Sequence, residues 1–311
     1  MAVFKIHHIT KYEYNQPVKE SVNEIKIYPA NSATQQVLEH HLQITGNPEV
    51  LLFTDYWGNK VGNFNLLRPH KELLIESKLL IQTAAEDLPS LPVIPIREAV
   101  FDPLDLQLLV YVQSGKIIAQ SFIDAVIEKI YDPKKSIVDI AFECSGYVFE
   151  NFSYIKGITT IETTVDEIIE HQSGVCQDFA HLLLVLLRTM RIPARYVSGY
   201  ICPNKNGMRG EGATHAWVEF YIPEYGWVGI DPTNNVWVSG HHVKLSVGRG
   251  FIDCTPAKGT FKGPAQQFLS VYVSVGYEDG VVFEENNAVM LEKTSEKLSQ
   301  QIIDNFAAQQ Q

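Results

Sequence analysis

The segment CQDFAHLLLVLLRTM, residues 176–190, constrains the fold more than any other part of the chain. Its apolar residues point to every side of a helix, and Pro193 lies just beyond the stretch that can be helical. A helix without a polar face is stable where other elements cover it on all sides. The sequence therefore predicts a central buried helix that begins at Cys176.

Short segments rich in Val, Ile, Tyr and Phe occupy the first part of the chain, from about residue 4 to 83. Turn signals such as Pro17, Pro29 and the Gly58–Asn59 pair separate them, which is typical of an antiparallel sandwich or barrel. Residues 84–103 carry four prolines and break both the helical and the strand periodicity, as a linker does.

Helical patterns follow the linker, and strands follow the buried helix. The last helical pattern before residue 176 begins with a capping box, Thr164 and Glu167, and we expect Gly174 to end it. Helices first and antiparallel strands afterwards predict an α+β fold. We expect a β-rich N-terminal domain at 1–85, a linker at 86–118, an α+β core at 119–290 and a tail at 291–311. The predicted helices are 121–131, 136–151 and 163–172; the predicted later strands are 194–201, 215–222, 227–231, 242–247 and 269–278.

Cys176 follows a glycine-containing turn at the predicted start of the buried helix. Unpaired N–H groups and the positive end of the helix dipole favour a thiolate there, and the thiolate is the nucleophilic form of cysteine. The same N–H groups can hold the oxyanion of a tetrahedral intermediate. Taken alone, a cysteine at a helix start is more often a small buried hydrophobic residue. The chemical interpretation therefore depends on its partners.

Two candidate partners lie on a predicted hairpin. Strand alternation in HAWVEFY places His215, Trp217 and Glu219 on one face, and WVGID returns after the turn to end at Asp231. A hairpin of this length brings the beginning of its first strand beside the end of its second, so His215 and Asp231 should lie near the same edge. A thiol, a base and a carboxylate that fixes the base are the three parts that a cysteine nucleophile needs.

Four blocks, GVCQDFAHLLLVLLR, IPARYVSGY, THAWVEFY and GWVGIDPTN, together resemble the bacterial transglutaminase-like superfamily of cysteine proteases, which has a papain-like fold. The blocks agree in order and spacing, and the resemblance covers about residues 120–275. The first domain is similar to the β-rich N-terminal region that precedes this core in one bacterial subfamily. The resemblance implies that Cys176 is the nucleophile, His215 the general base and acid, and Asp231 the group that orients His215.

The implied reaction is acyl transfer from an amide through a thioester on Cys176. With water as acceptor the enzyme is a peptidase or amidase acting on a peptide or isopeptide-like bond, which we expect because water is present at about 55 M. With a lysine amine as acceptor it is a transglutaminase that crosslinks glutamine and lysine side chains. A peptide-binding or scaffold module without turnover is the third alternative, and the complete triad argues against it.

Several other residues have weaker claims to the site. Tyr154 either donates its hydroxyl to the oxyanion, as an upstream aromatic residue does in related transglutaminases, or packs in the core. Gln177 directly follows the nucleophile and is a candidate for substrate contact. Trp217 either lines the cleft or packs the sheet, and packing is the stronger expectation. Asp178 complements the helix dipole, and we expect its side chain to point away from the thiol.

The composition of the chain limits the kinds of partner that the protein is expected to bind. A net charge of −11 argues against nucleic acid and anionic membranes as partners. The reaction that the resemblance implies makes a peptide or protein substrate the expected partner. The start of the chain lacks the pattern of a secretory signal. No apolar stretch is long enough to span a membrane. Four widely spaced cysteines are typical of a protein in a reducing compartment, and we expect the cytoplasm. His241 and His242 are adjacent and point to opposite sides of a strand, so we do not expect them to share a metal ion. No glycine-rich phosphate loop follows a predicted strand, and we expect no cofactor.

Overall fold

The computed structural model describes residues 2–84, 90–99, 101, 106–160, 162–202, 207–210, 212–278 and 282–291. Three antiparallel sheets and a group of helices make up this part of the chain, and two short strands pair in parallel beside them. The predicted α+β class is confirmed, as is the all-β character of the N-terminal region.

The predicted N-terminal strands all form, and they divide between two sheets. Their bounds are β1 (Ala2–Val18), β2 (Ser21–Tyr28), β3 (Gln35–Ile44), β4 (Leu51–Thr54), β5 (Lys60–Leu66) and β6 (His70–Thr83). Strands β3, β6 and β1 lie side by side in one sheet, while β4, β5 and β2 form the other. Apolar side chains between these sheets, among them Tyr12, Ile25, Phe64 and Leu73, make a sandwich core.

The predicted helices also form, within a residue or two of their expected bounds. They are α2 (Gln120–Ile130), α3 (Ile137–Asn151), α4 (Val165–His171) and α5 (Cys176–Thr189), preceded by a short α1 (Leu106–Leu109) and followed by α6 (Phe251–Cys254). Thr164 and Glu167 make the predicted capping box. The left-handed residue after α4 is Gln172, not Gly174, which lies in a strand instead. None of the described helices is both long and apolar enough to cross a membrane.

The core sheet has the order β12-β11-β10-β9-β13. Helix α5 crosses one face, where buried side chains such as Phe179 and Leu183 meet Val218 and Phe220 of the sheet. This helix is buried along most of its length, as its apolar pattern predicts. The strands are β9 (Ala194–Ile201), β10 (Thr214–Ile222), β11 (Gly226–Asp231), β12 (Val236–Trp237) and β13 (His242–Gly248).

The last strands return to the N-terminal region. They are β14 (Ala257–Phe261), which pairs with β2, β15 (Gln267–Tyr277), which pairs with β1, and β16 (Val282–Leu291), which pairs with β15. The predicted core of 119–290 thus includes three strands that belong to the N-terminal sheets instead. Parts of the predicted linker and residues 292–311 of the predicted tail lie outside the described residues.

The N-terminal region packs directly against the core sheet. Phe4 and Ile6 of β1 and Val273 of β15 lie against Tyr200 of β9 and Leu245 of β13 in one buried cluster. Helices therefore cover one face of the core sheet and a second sheet covers the other. This arrangement removes most of β9 and β10 from water and gives the ends of these strands fixed positions.

A buried polar contact also crosses this interface, and it is sensitive to pH. His8 of β1 lies 2.8 Å from the hydroxyl of Tyr200, through Nδ1, and 3.2 Å from that of Thr10, through Nε2. Burial, aided by the neighbouring charge of His7, lowers the pKa of His8 from 6.5 to about 4. The unfolded chain therefore binds a proton below pH 6.5 that the folded chain excludes until about pH 4, and stability falls as the pH drops through this window.

We predict that His8→Asn makes the stability of the protein less dependent on pH. A pKa lowered from 6.5 to about 4 costs about 2 kcal/mol between pH 7 and pH 5, and Asn does not titrate. Urea unfolding of both proteins at pH 7 and pH 5 measures the difference. An equal loss of stability in the two proteins on acidification would contradict the assignment to His8.

Candidate active site

Cys176 occupies the first position of α5, and the chain before it is held in place by backbone pairing. Strand β8 (Ser173–Gly174) lies parallel to β7 (Ser153–Tyr154), with hydrogen bonds from Ser153 N–H to the carbonyl of Gln172 (2.9 Å) and from Ile155 N–H to that of Gly174 (3.0 Å). The helix that begins at Cys176 is buried along most of its length, which supports the position of its N-terminus. The thiol is half-buried, whereas the other three cysteines are fully buried.

Asp178 closes the turn that precedes the helix. Its Oδ2 accepts hydrogen bonds from Val175 N–H (2.8 Å) and the hydroxyl of Thr159 (2.7 Å), which fits the expected capping role. Gly174 is needed here, because a Cβ on it would lie 2.6 Å from the Cβ of Asp178. Burial raises the pKa of Asp178, against the lowering effect of its two donors. The pKa of Asp178 and that of an exposed aspartate therefore differ because of burial beside the helix start.

His215 and Asp231 meet as the hairpin geometry predicts. Strands β10 and β11 pair with Val218 opposite Ile230, so the start of β10 lies beside the end of β11. Nε2 of His215 is 2.9 Å from Oδ2 of Asp231, and neither side chain is exposed. The predicted contact between base and carboxylate is thus present in the structure.

Asp231 receives hydrogen bonds from four groups. Thr233 N–H donates to Oδ1 (2.9 Å). Three nitrogen atoms lie within hydrogen-bond distance of Oδ2: Nδ2 of Asn234 (2.7 Å), Nε2 of His215 and Nε2 of His242 (3.3 Å). Burial by itself raises the pKa of a carboxyl group, but the charges and hydrogen bonds of the two histidines bring that of Asp231 below its ordinary value. The group is therefore a buried carboxylate anion at neutral pH.

The imidazole of His215 contacts this carboxylate and also interacts with Cys176. Burial lowers the pKa of His215, but the charge and hydrogen bond of Asp231, together with an interaction with Cys176, raise it well above 6.5. Because Nε2 faces Asp231, Nδ1 is the nitrogen left for the thiol. Nδ1 is buried and makes no hydrogen bond of regular geometry with a described residue. Contacts between a nucleophile and its base are often long before substrate binds.

The weaker candidates fall in different places. The hydroxyl of Tyr154 borders the site, since a Cβ built on Gly210 would lie 3.6 Å from that hydroxyl and 3.3 Å from Nδ1 of His215. Gln177 is half-buried beside Cys176. Trp217 is fully buried, with its ring 5.3 Å from that of His242, so it packs the sheet and does not line an open cleft.

Three residues at the site were missed by the sequence interpretation: His242, Asn234 and Gly210. His242 lies in a strand that was predicted, but its approach to Asp231 depends on the pairing of β13 with β9, across 40 residues of chain. Asn234 is three residues beyond Asp231, a spacing at which a polar side chain commonly folds back on a turn. Gly210 has φ +79°, which favours glycine, and its lack of a Cβ leaves room beside His215.

His215, Asp231 and His242 also form a group that could hold a metal ion, since one ligand atom from each lies within 4.8 Å of the others. The hydrogen bonds favour a different arrangement. Nδ1 of His242 accepts the N–H of Ser239 (3.3 Å), which leaves a proton on Nε2 that points at Asp231. A metal ion would have to displace the Nε2 protons of both histidines. The donor set therefore fits a hydrogen-bonded carboxylate better than a metal site.

Comparison with known families assigns both halves of the chain. Residues 124–232 match the transglutaminase-like superfamily, and residues 4–82 match the bacterial transglutaminase-like N-terminal region. The first match contains Cys176, His215 and Asp231.

Individual proteins agree with this assignment. An uncharacterized protein of Mycobacterium leprae is 33% identical over 280 residues, which span 87% of this chain and 97% of that protein. A protein-glutamine gamma-glutamyltransferase of Pseudomonas aeruginosa is 37% identical over 94 residues, 28% of this chain and 14% of that enzyme. The crystal structure of a candidate cysteine protease from Cytophaga hutchinsonii shares the fold, with a TM-score of 0.67 and 21% identity over 94% of this chain and 92% of that one.

We predict that Asp231→Asn slows alkylation of Cys176 by iodoacetamide at pH 6 by about tenfold or more. The charge of Asp231 supports the protonated imidazole; without it, burial lowers the pKa of His215 and the thiolate loses its counter-ion. Rates measured from pH 5 to 9 should converge at high pH, where thiols ionise unaided. Asp124→Asn, the same charge change on an exposed site of α2, is the control, and equal profiles for all three proteins would refute the role of Asp231.

Proposed function

The chain belongs to the transglutaminase-like superfamily, and from this membership and the contacts of His215 we propose that it is a cysteine-dependent enzyme that transfers acyl groups from amides. The observation that carries the proposal is the 2.9 Å contact between Nε2 of His215 and the buried carboxylate of Asp231, with Cys176 acting on the same ring. This order of groups suits a thiol nucleophile, a base and the carboxylate that orients it.

In the proposed reaction the proton of the thiol resides on Nδ1 of His215, and the sulfur of Cys176 attacks the amide carbonyl. The carbonyl oxygen becomes an oxyanion, which the free N–H groups of the first turn of α5 can stabilise. The hydroxyl of Tyr154 borders the same space and is a second candidate donor. When the C–N bond breaks, Nδ1 returns the proton to the departing amine and a thioester remains on Cys176.

A second nucleophile then resolves the thioester. We propose that this nucleophile is water: His215 takes one of its protons and the oxygen bonds to the acyl carbon. The C–S bond then breaks, the proton passes from His215 to the sulfur of Cys176, and a carboxylic acid leaves. Hydrolysis is the preferred outcome because an acceptor amine has to compete with water at about 55 M. The substrate is then a peptide or isopeptide-like amide.

Because the four cysteines are free, we place the enzyme in a reducing compartment, the cytoplasm.

Amine transfer is the second candidate function. The specific observation in its favour is the relative of Pseudomonas aeruginosa whose name describes a protein-glutamine gamma-glutamyltransferase. That similarity covers 94 residues, and the thioester is common to both reactions. The two functions therefore differ only in what attacks the thioester.

We predict that iodoacetamide at pH 6–7 labels Cys176 well before the other cysteines. Burial raises the pKa of Cys144 and of Cys254 to about 12 and raises that of Cys202 well above its ordinary value, so these thiols are neutral and inaccessible. Mass spectrometry of tryptic peptides over time measures the four rates. Comparable rates would mean that Cys176 is not activated, and the proposed mechanism would fail with it.

We further predict that the wild-type enzyme cleaves members of a peptide library without incorporating a labelled alkylamine, and that Cys176→Ala does neither. New amino termini and amine-labelled products are counted by mass spectrometry in the same reactions. Incorporation that exceeds cleavage would favour the transglutaminase alternative. Cleavage by Cys176→Ala at the wild-type rate would exclude both functions as proposed.

A further inference from the structure

The loop between β9 and β10 brings an arginine to the edge of the proposed active site. Gly210 in this loop borders Nδ1 of His215, the ring nitrogen left for the thiol, and a Cβ on it would lie only 3.3 Å from that nitrogen. Arg209 is the preceding residue. We propose that Arg209 forms an anion-binding subsite beside Cys176, and that the substrate carries a carboxylate close to the amide that is attacked. This inference rests on the proposed function.

The backbone of Arg209 is fixed to the catalytic network. Its N–H donates to Oδ1 of Asn234 (2.7 Å), and Nδ2 of Asn234 donates back to the Arg209 carbonyl (3.3 Å). The same Nδ2 donates to Oδ2 of Asp231 (2.7 Å). One amide thus connects the loop to the carboxylate that holds His215, so the arginine keeps its position relative to the base.

The guanidinium of Arg209 makes two contacts with described residues, one with an aromatic ring and one with a backbone carbonyl. Its Cζ lies 4.2 Å from the centre of the Phe149 ring, and its other contact among the described residues is a long one, 3.5 Å from Nη1 to the carbonyl of Thr233. No described carboxylate pairs with it. Arg195 of β9 also lies over an aromatic ring. Unlike Arg209, it forms an ion pair with a described carboxylate, that of Glu219, at 2.6 Å.

A half-buried arginine that no described carboxylate neutralises is uncommon in a chain with a net charge of −11. The ring of Phe149 contacts the guanidinium at Cζ, and N–H groups at the edge of such a group can donate two parallel hydrogen bonds to a carboxylate. The overall negative charge repels acidic substrates at long range, so a local cation is the means of holding one. Acyl donors with a carboxylate near the amide are the class that fits.

The test compares two alkylating agents that differ in charge. Iodoacetate carries a carboxylate and iodoacetamide does not, and both modify the same sulfur. We expect the ratio of the iodoacetate to the iodoacetamide rate constant at Cys176 to fall by about threefold or more in Arg209→Gln and to recover in Arg209→Lys, since one nearby unit charge acts on one reagent alone. Arg68→Gln, an exposed position in the turn between β5 and β6, makes the same change in net charge and should keep the wild-type ratio.

A second measurement uses acyl donors. Mono-p-nitrophenyl glutarate and p-nitrophenyl butyrate differ by a carboxylate, and Arg209→Gln should raise KM for the glutarate ester more than for the butyrate ester. An unchanged reagent ratio together with equal effects on the two esters would overturn the subsite while leaving the activated thiol in place. If Cys176 of the wild type reacts no faster than the buried cysteines with either reagent, the proposed function fails, and the subsite fails with it.

Discussion

The carboxylate of Asp231 is the interaction on which the proposed site depends. An isolated charge without contact to water is strongly unfavourable, so it persists only where hydrogen bonds replace its hydration. Four donors do so here, and they come from β10, β13 and the turn after β11. Satisfying one anion therefore fixes the relative positions of segments that are remote in sequence. The orientation of His215, with Nδ1 left for Cys176, is a direct result.

The carboxylate of Asp231 is shielded from water because other elements cover both faces of the core sheet. Helix α5 packs on one side, and the N-terminal strands β1 and β6 pack on the other, against β9 and β13. Tyr200, which contacts His8 of the N-terminal region, lies opposite Thr214 in the pairing of β9 with β10, one residue from His215. The N-terminal region thus supports the strand that carries His215. This structural contribution is independent of any part that the region has in substrate access.

Local signals were enough to predict much of this arrangement. The capping box at Thr164, the all-round apolar pattern of α5 and the alternation in the β10–β11 hairpin are set by neighbours a few residues apart, and each appears as expected. The pairing of β15 with β1 and the approach of His242 to Asp231 are not local. They depend on the register between strands from opposite ends of the chain or from separate hairpins. Alternation tells which side chains share a face of a strand, but not which strand will lie beside it.

Two buried aspartates flank the proposed nucleophile and base, and their environments are opposite. Asp231 has donors on both oxygens and stays ionised, which stabilises the protonated form of His215. Asp178 has donors on Oδ2 alone, while its Oδ1 has no hydrogen-bond partner among the described residues, and burial raises its pKa. A full negative charge at Asp178 would oppose a thiolate at the start of α5. Unequal solvation of two identical side chains thus shifts their pKa values in opposite directions, downward at the residue that contacts His215 and upward at the residue near Cys176.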